Sequence, residues 1–234
     1  MIENMKLREK LEEQSNPKKA KLLQRFFKTG KGEYGEGDVF LGISVPETRK
    51  IAKEFCNIKL EEIQNSLNSE IHEERLAALL VLIEKMKKSD EKEKIFNLYL
   101  KNAKNNRINN WDLVDLSAPR IVGGFLLDKD RKILYGLVKG NLWERRISAL
   151  ACFAFIKEKD FSDALKISEI LLKDKHDLMH KAVGWMLREI GKRDKQELEK
   201  FLKKNYKIMP RTMLRYSIEK FSDKERKAYL SGEV

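Results

Sequence analysis

The chain has 234 residues, enough for one large domain or two small ones with a sizeable core. Lysine and arginine number 49 against 37 aspartates and glutamates, so the net charge of +12 favours a polyanionic partner, either nucleic acid or an anionic membrane surface. No apolar run approaches the roughly 20 residues that cross a bilayer. Residues 1–14 are charged throughout and lack the apolar stretch of a secretory signal. With two cysteines in apolar settings, Cys56 and Cys152, we expect a cytoplasmic protein.

The first long interruption of helical periodicity runs from Thr29 to Val45. It contains five glycines but lacks the order of a Walker loop. Loops of this length are usually functional or disordered. Lys28 and Lys31 could therefore grip a phosphate, or the segment could be a flexible connector, and the sequence leaves both interpretations open.

Elsewhere apolar residues recur at steps of three and four, which is typical of helices. Clear examples are Leu76, Leu79, Leu80, Ile83 and Met86, and then Ala182, Val183, Met186, Leu187 and Ile190. No Asn-Gly or Asp-Gly hairpin joins two alternating strands. The periodicity predicts roughly 12 to 14 helices and essentially no sheet.

A carboxylate and an indole stand four residues apart at Trp111 and Asp115, so they would share one helix face. Asn110 is expected to cap this helix and Asp112 to favour its positive end. Asp115, in the second turn, gains little from the helix dipole. On a surface built for polyanions a carboxylate repels what its neighbours attract, which makes Asp115 a candidate for chemistry. Pro119 would interrupt the helix, because it has no N–H to donate to Asp115.

Two further aromatic and basic groups follow. Trp143-Glu-Arg-Arg offers Arg145 and Arg146, which point about 100° apart on a helix, so only one can face a groove fully. Trp185 lies three residues before Arg188, on the same face. Each group could equally be a solvated basic face or a packed core tryptophan, and Gly184 beside Trp185 indicates close packing.

A weak internal repeat connects these positions. Arg75, Arg146 and Lys181 each open a long helix with small and apolar residues, at multiples of about 35 residues. Two helices per unit at this period are typical of an α-solenoid of HEAT-like repeats. We therefore predict an all-α fold in which residues 1–234 form a single curved domain with a concave basic groove and no deep pocket. Trp111, Arg146 and Trp185 fall near equivalent repeat positions.

The sequence indicates no metal site. His176 and His180 have metal-binding spacing but no third ligand nearby, and His72-Glu73-Glu74 is not a zincin motif. No nucleophile elbow and no dinucleotide fingerprint is present. We expect neither a metal nor a cofactor.

Four blocks in this order resemble the bacterial DNA alkylation repair glycosylases built from HEAT-like repeats, over about Leu22 to Tyr216. The blocks are Phe40-Leu-Gly-Ile-Ser-Val-Pro46, Trp111-Asp-Leu-Val-Asp115, Trp143-Glu-Arg-Arg146 and Lys181-Ala-Val-Gly-Trp-Met-Leu-Arg-Glu189. The chain departs from the family pattern in its longer Thr29–Asp38 loop and in Phe26, which stands where the family has a tyrosine.

The resemblance implies excision of cationic N3- and N7-alkylated purines from duplex DNA by a monomeric enzyme, without a metal or cofactor. It implies that Asp115 is the catalytic carboxylate, that Trp111 and Trp185 line the cleft, and that Arg146 is the site arginine. Backbone contacts are then expected from further basic residues, namely Lys28, Lys31, Arg145, Arg188, Arg211 and Arg215. Two alternatives stay open: a non-catalytic DNA-structure-binding protein on the same scaffold, and a HEAT-type protein-interaction scaffold.

Overall fold

The computed structural model of the protein describes residues 6–234. In this range there are 14 α-helices, and 68% of the residues are helical. The only strand-like pairing in the described part of the chain is an isolated parallel bridge between Val39 and Ile71. The predicted all-α, solenoid-type fold class is confirmed. The lack of a secretory signal predicted for residues 1–14 falls partly on residues 1–5, which lie outside the described residues.

The chain divides into two compact units, Met1–Ser117 and Ala118–Val234, and each is described by itself. The single-domain organisation stays a prediction. The helices of the first unit are α1 (Leu7–Glu12), α2 (Pro17–Phe26), α3 (Val45–Glu54), α4 (Leu60–Leu67), α5 (His72–Lys88), α6 (Lys92–Lys104) and α7 (Trp111–Ala118, whose last residue belongs to the second unit).

The second unit includes a π-helical segment, Pro119–Gly123, directly after α7. The α-helix therefore ends before Pro119, where the sequence predicts an interruption. The unit continues with α8 (Lys132–Leu137), α9 (Leu142–Lys157), α10 (Ser162–Ile170), a 3-10 turn (Leu171–Lys173), α11 (Asp177–Gly191), α12 (Lys195–Asn205), α13 (Arg211–Ser217) and α14 (Asp223–Ser231).

In the first unit α5 is the central helix. It is apolar on most of its circumference, so it must be covered on several sides. Helices α1, α3, α4 and α6 pack around it, and Leu76, Leu79 and Leu82 are almost fully buried. The first turn of α5 is unusual because its polar residues are buried too, namely His72, Glu73, Glu74 and Arg75.

In the second unit α9 and α11 pack on each other, and α11 also packs on α13. Gly184 permits this last contact, since a Cβ there would lie 2.7 Å from the carbonyl oxygen of Met213. Close packing at Gly184 was expected and is confirmed. Among residues 6–234, no helix combines the length and the apolar character that a membrane crossing requires.

Helix α2 is positioned by a glycine in the loop that precedes α3. Gly42 adopts a φ of +86°, and a Cβ there would lie 2.2 Å from the carbonyl oxygen of Asn16 and 2.6 Å from the backbone nitrogen of Ala20. Beside it, the Asn16 N–H donates to the carbonyl of Leu41 at 2.8 Å. The first turn of α2 therefore rests directly on the backbone of the Phe40–Ile43 segment.

We expect Gly42→Ala to lower the free energy of unfolding by about 3 kcal/mol, because a left-handed conformation and a steric clash add up. Gly32→Ala is the matched control: Gly32 has a φ of +80°, but a Cβ added there would meet nothing within 4 Å. It should cost only about 1 kcal/mol. Urea unfolding of both variants measures the difference, and equal losses would contradict the proposed contact between α2 and Gly42.

Candidate functional site

Helix α7 begins at Trp111, as its cap predicts. The Oδ1 atom of Asn110 accepts a hydrogen bond from the Trp111 N–H at 2.8 Å, and Asn110 itself is fully buried. Trp111 and Asp115 are both half-buried and lie one turn apart in α7. They therefore share one face of the helix.

A buried histidine connects α5 to this helix. His72 is 2% exposed, and its Nε2 lies 2.9 Å from Oδ2 of Asp112 while its Nδ1 lies 3.1 Å from Oδ2 of Asp38. Two carboxylates can both be satisfied only if both ring nitrogens carry a proton. Burial by itself would lower the pKa of His72, but the charge of Asp112 and the hydrogen bonds to both carboxylates raise it to about 9. His72 is therefore a buried imidazolium at neutral pH.

Asp38 has two further partners. Its Oδ1 accepts from Nη2 of Arg75 at 2.6 Å, and its Oδ2 accepts from Nδ2 of Asn110 at 3.2 Å. Burial would raise the pKa of Asp38, but the hydrogen bond from His72 and the charge of Arg75 outweigh it and lower that pKa. Two cations thus face two carboxylates, and the buried cluster is close to neutral.

This cluster fixes the residues on either side of Trp111. Asn110 precedes the indole and is held by Asp38, whereas Asp112 follows it and is held by His72. Both neighbours of Trp111 are therefore attached to buried partners from other parts of the first unit. The orientation of the indole, and of Asp115 one turn later, follows from these attachments.

An aromatic stack continues from Trp111 into the unit. The Trp111 ring stacks on Phe27 at 5.2 Å between centroids, Phe27 stacks on Phe40 at 4.9 Å, and Phe40 stacks on His72 at 4.6 Å. The imidazolium at the end of the stack lies against an aromatic face, an arrangement that cations favour. Phe26 meets the Trp111 ring edge-on at 6.1 Å.

A cleft of about 380 Å³ opens beside Trp111 in the first unit. Apolar side chains from α2, from the Phe40–Val45 segment and from α7 line most of it. The lack of a deep pocket was predicted for the concave groove and stays a prediction, whereas this cleft belongs to the first unit by itself. The Phe40–Ile43 segment, against which α2 is held, contributes Phe40, Gly42 and Ile43 to its lining.

The carboxylate of Glu73 holds that segment in place. It accepts hydrogen bonds from three consecutive backbone N–H groups, those of Leu41 at 3.0 Å, Gly42 at 2.8 Å and Ile43 at 3.2 Å. Glu73 is 1% exposed, so these bonds replace its lost hydration. The second half of the glycine-rich loop is therefore anchored. Flexibility of its first half stays a prediction.

In the second unit Arg146 is buried, and its Nη1 donates to the carbonyl of Leu178. Arg145 is half-buried, and its Nε donates to Asp174 at 2.6 Å. The prediction that at most one of the two arginines faces a groove fully stays a prediction, as do their roles toward DNA.

Trp185 is half-buried on α11 and lies 6.0 Å from the ring of Phe153. Burial would raise the pKa of Glu189, one turn later, but hydrogen bonds from Lys192, Arg193 and the Trp185 side chain lower it. Trp185 is thus tied to its own helix. Arg188 forms an ion pair with Glu219.

The other predicted DNA contacts are on the surface. Lys28 and Lys31 of the first unit are exposed, as are Arg211 and Arg215 of the second. Arg211 also donates to the carbonyl of Leu230 at 2.5 Å. No group of three or more potential metal ligands occurs in residues 6–234. Nδ1 of His176 accepts from the Leu178 N–H, and Nε2 of His180 lies 2.6 Å from the carbonyl oxygen of Asp174.

The sequence did not reveal the buried cluster. Asp38, His72 and Arg75 come from a loop and a helix separated by more than 30 residues, without a recognisable spacing. The available signal was local: a run of four charged residues, His72 to Arg75, at the start of an apolar helix.

The sequence analysis also missed the basic character of α2. The charge of this short helix is hidden when net charge is considered only over longer stretches of the chain.

The raised pKa of His72 makes stability depend on pH. The pKa of His72 is near 6.5 in the unfolded chain and about 9 in the folded protein. The stabilisation that protonated His72 adds to the free energy of unfolding is therefore complete below pH 6.5 and is lost as the pH rises through 9. We expect the free energy of unfolding to fall by about 3 kcal/mol over this range.

The variant His72→Gln should be less stable than the unaltered protein, and its free energy of unfolding should no longer fall between pH 6 and pH 9. His180→Gln is the control, because His180 contacts a backbone carbonyl rather than two carboxylates. Urea unfolding at pH 6, 7.5 and 9 measures all three proteins. A fall of the same size in His72→Gln would exclude His72 as its source.

Comparisons with known proteins agree with this architecture. The family model described as DNA alkylation repair enzyme matches residues 7–221. A solved structure with the same fold is a predicted DNA alkylation repair enzyme from Enterococcus faecalis. It is 17% identical, with a TM-score of 0.68, over 89% of this chain and 97% of that one. No match was found among proteins with curated descriptions. Because the family model spans most of the chain, the protein belongs to the DNA alkylation repair enzyme family.

Proposed function

We propose that the protein is a DNA glycosylase that excises cationic N3- and N7-alkylated purines from duplex DNA. The observation that carries the proposal is the pair Trp111 and Asp115, half-buried and one turn apart on a helix whose start is fixed by buried hydrogen bonds. Membership of the DNA alkylation repair enzyme family supports the substrate class.

Alkylation at N3 or N7 gives the purine a positive charge and weakens its glycosidic bond. When that bond breaks, the electron pair stays on the base, which leaves as a neutral purine, and the sugar becomes oxocarbenium-like. A carboxylate beside the sugar stabilises this cation. In the proposed reaction Asp115 has this role and accepts a proton from the water that adds to C1′. The products are the free base and an abasic site.

Trp111 is proposed to recognise the charge of the lesion. An indole face attracts a cation by about 0.5–2 kcal/mol, and the attraction is larger where water is excluded. Because Trp111 is backed by Phe27 at 5.2 Å, its ring is held as a platform and does not have to be ordered on binding. A cationic purine would thus be favoured over its neutral counterpart.

The charge of the chain supports the choice of a polyanionic substrate. Its net charge is +12, and Lys28, Lys31, Arg211 and Arg215 are exposed. Such side chains would contact the phosphate backbone without reading sequence. Arg146, the site arginine by resemblance, is proposed to hold the phosphate next to the lesion. Since Arg146 is buried against the carbonyl of Leu178, that role would require its guanidinium to exchange partners.

We expect Asp115→Asn to reduce the release of 7-methylguanine from methylated duplex DNA by at least about 100-fold, because loss of one transition-state stabilising group has this size. Affinity for duplex DNA should be retained or rise, since a negative charge is removed. Chromatography of the liberated bases and fluorescence anisotropy measure the two quantities.

Asp128→Asn is the matched control, as Asp128 is an exposed carboxylate of the second unit. It should release 7-methylguanine at the rate of the unaltered protein. Undiminished release by Asp115→Asn would remove Asp115 from catalysis. Absence of release by the unaltered protein, together with duplex binding, would instead favour the non-catalytic DNA-structure binder.

Salt dependence tests the electrostatic part of the proposal. If several lysines and arginines contact phosphates, the duplex affinity should fall by about 100-fold or more between 50 and 200 mM salt. Anisotropy titrations at four salt concentrations give the slope. An affinity that ignores salt would contradict binding through the basic surface and favour a protein-interaction scaffold.

A further inference from the structure

A second cavity of the first unit, of about 320 Å³, lies between the start of α1, helix α4 and the first turn of α5. None of the residues that line it also lines the cleft beside Trp111. Its volume is at the lower end of the range of small-ligand sites, so it suits a molecule of few atoms. The polar part of its lining consists of Lys6, Arg8, Glu62, Asn65, Ser66 and Glu74.

Glu74 is a buried carboxylate with an unused hydrogen-bonding position in this cavity. The residue is 4% exposed, and its Oε1 accepts no hydrogen bond from the described part of the chain. Nε of Arg8 lies 3.4 Å from this oxygen, but its single N–H is donated to Oε1 of Glu12 at 2.8 Å. A buried acceptor without a donor is unfavourable. A ligand that donates a hydrogen bond to Glu74 would therefore be stabilised in the cavity.

The charged residues around the cavity form two opposite pairs. Glu62 and Glu74 contribute carboxylates from α4 and α5, whereas Lys6 and Arg8 contribute cations from the start of α1. Lys6 forms no ion pair with any of the described residues, and the ion pairs of Arg8 involve Nε and leave both Nη atoms available. A ligand with one ammonium and one anionic group matches this arrangement.

Other small ligands would satisfy fewer of these groups. A metal ion is disfavoured, because residues 6–234 contain no cluster of three or more carboxylate, histidine or cysteine ligands. A simple anion would be repelled by Glu74, and a simple amine would add a positive charge beside Lys6 and Arg8. The two apolar residues of the lining, Leu7 and Ile58, favour a ligand that also has a short apolar part.

We propose that this cavity binds a free α-amino acid with a short apolar side chain. Its ammonium group donates to Oε1 of Glu74, and its carboxylate accepts from Arg8 and Lys6. Its side chain contacts Leu7 and Ile58. The inference goes beyond the proposed function, since the site requires neither DNA nor bond cleavage.

Isothermal titration calorimetry with L-valine tests the inference. We expect one molecule to bind per chain with a Kd of about 1 mM or lower, which is within reach of a ligand of this size. N-acetyl-L-valine lacks the ammonium group and L-valinamide lacks the carboxylate. Each should bind at least about tenfold more weakly, because each loses a charge-assisted hydrogen bond. Absence of L-valine binding up to about 10 mM, or equal affinity for either derivative, would overturn the inference.

Three variants locate the binding site. Glu74→Gln removes the buried charge and should weaken L-valine binding by at least about tenfold. Glu70→Gln is the matched control, because Glu70 is an exposed carboxylate of the same unit outside the cavity, and it should leave the affinity unchanged. Asn65→Trp should fill the cavity and abolish binding.

Circular dichroism checks that each variant is folded. Because Asn65 is exposed on α4, its substitution decides the question should Glu74→Gln not fold. Undiminished L-valine binding in a folded Asn65→Trp or Glu74→Gln would overturn the inference. Release of 7-methylguanine, measured with the same preparation, separates this site from the glycosylase. L-valine binding without base release would keep the cavity site and remove the enzymatic proposal, whereas base release without L-valine binding would do the reverse.

Discussion

The structure of the first unit depends on one interaction, the imidazolium of His72 held between the carboxylates of Asp38 and Asp112. Two buried carboxylates within reach of the same ring would repel each other, and each would lose its hydration. The cationic histidine removes both penalties, and Arg75 balances the second negative charge. The cluster joins a loop, the central helix α5 and the start of α7, so the position of Trp111 is set by electrostatics rather than by apolar packing alone.

The first turn of α5 organises everything around the cleft. His72 is hydrogen-bonded to Asp112 of α7, and Arg75 donates to Asp38. Glu73 accepts hydrogen bonds from the three N–H groups of the Leu41–Ile43 segment. Because that segment carries Gly42, on which α2 rests, the same helical turn also determines the edge of the cleft. Hydrogen bonds with the buried polar residues at the start of α5 therefore hold the second half of the glycine-rich segment from Thr29 to Val45 in place.

This arrangement separates the buried charges from the charges that would meet DNA. The cluster is close to neutral, so it adds little to the field outside the protein, while the basic residues of α2 and the exposed arginines of the second unit are on the surface. In the proposed reaction Asp115 then provides negative charge where a cationic sugar forms. The rigid aromatic platform behind Trp111 means that recognition of a cationic base requires little ordering on binding.

The sequence by itself determined the helical fold, the Trp111–Asp115 pair, the cap at Asn110, the glycine-rich interruption and the basic character of the chain. These features depend on neighbours within one or two helical turns, where spacing and propensity act directly. Only the tertiary structure decided that Asp112 contacts His72, that Asp38 contacts His72 and Arg75, and that α2 lines the cleft beside Trp111. Those contacts join segments more than 30 residues apart, and a buried charge becomes stable there only once its partner has been brought to it by packing.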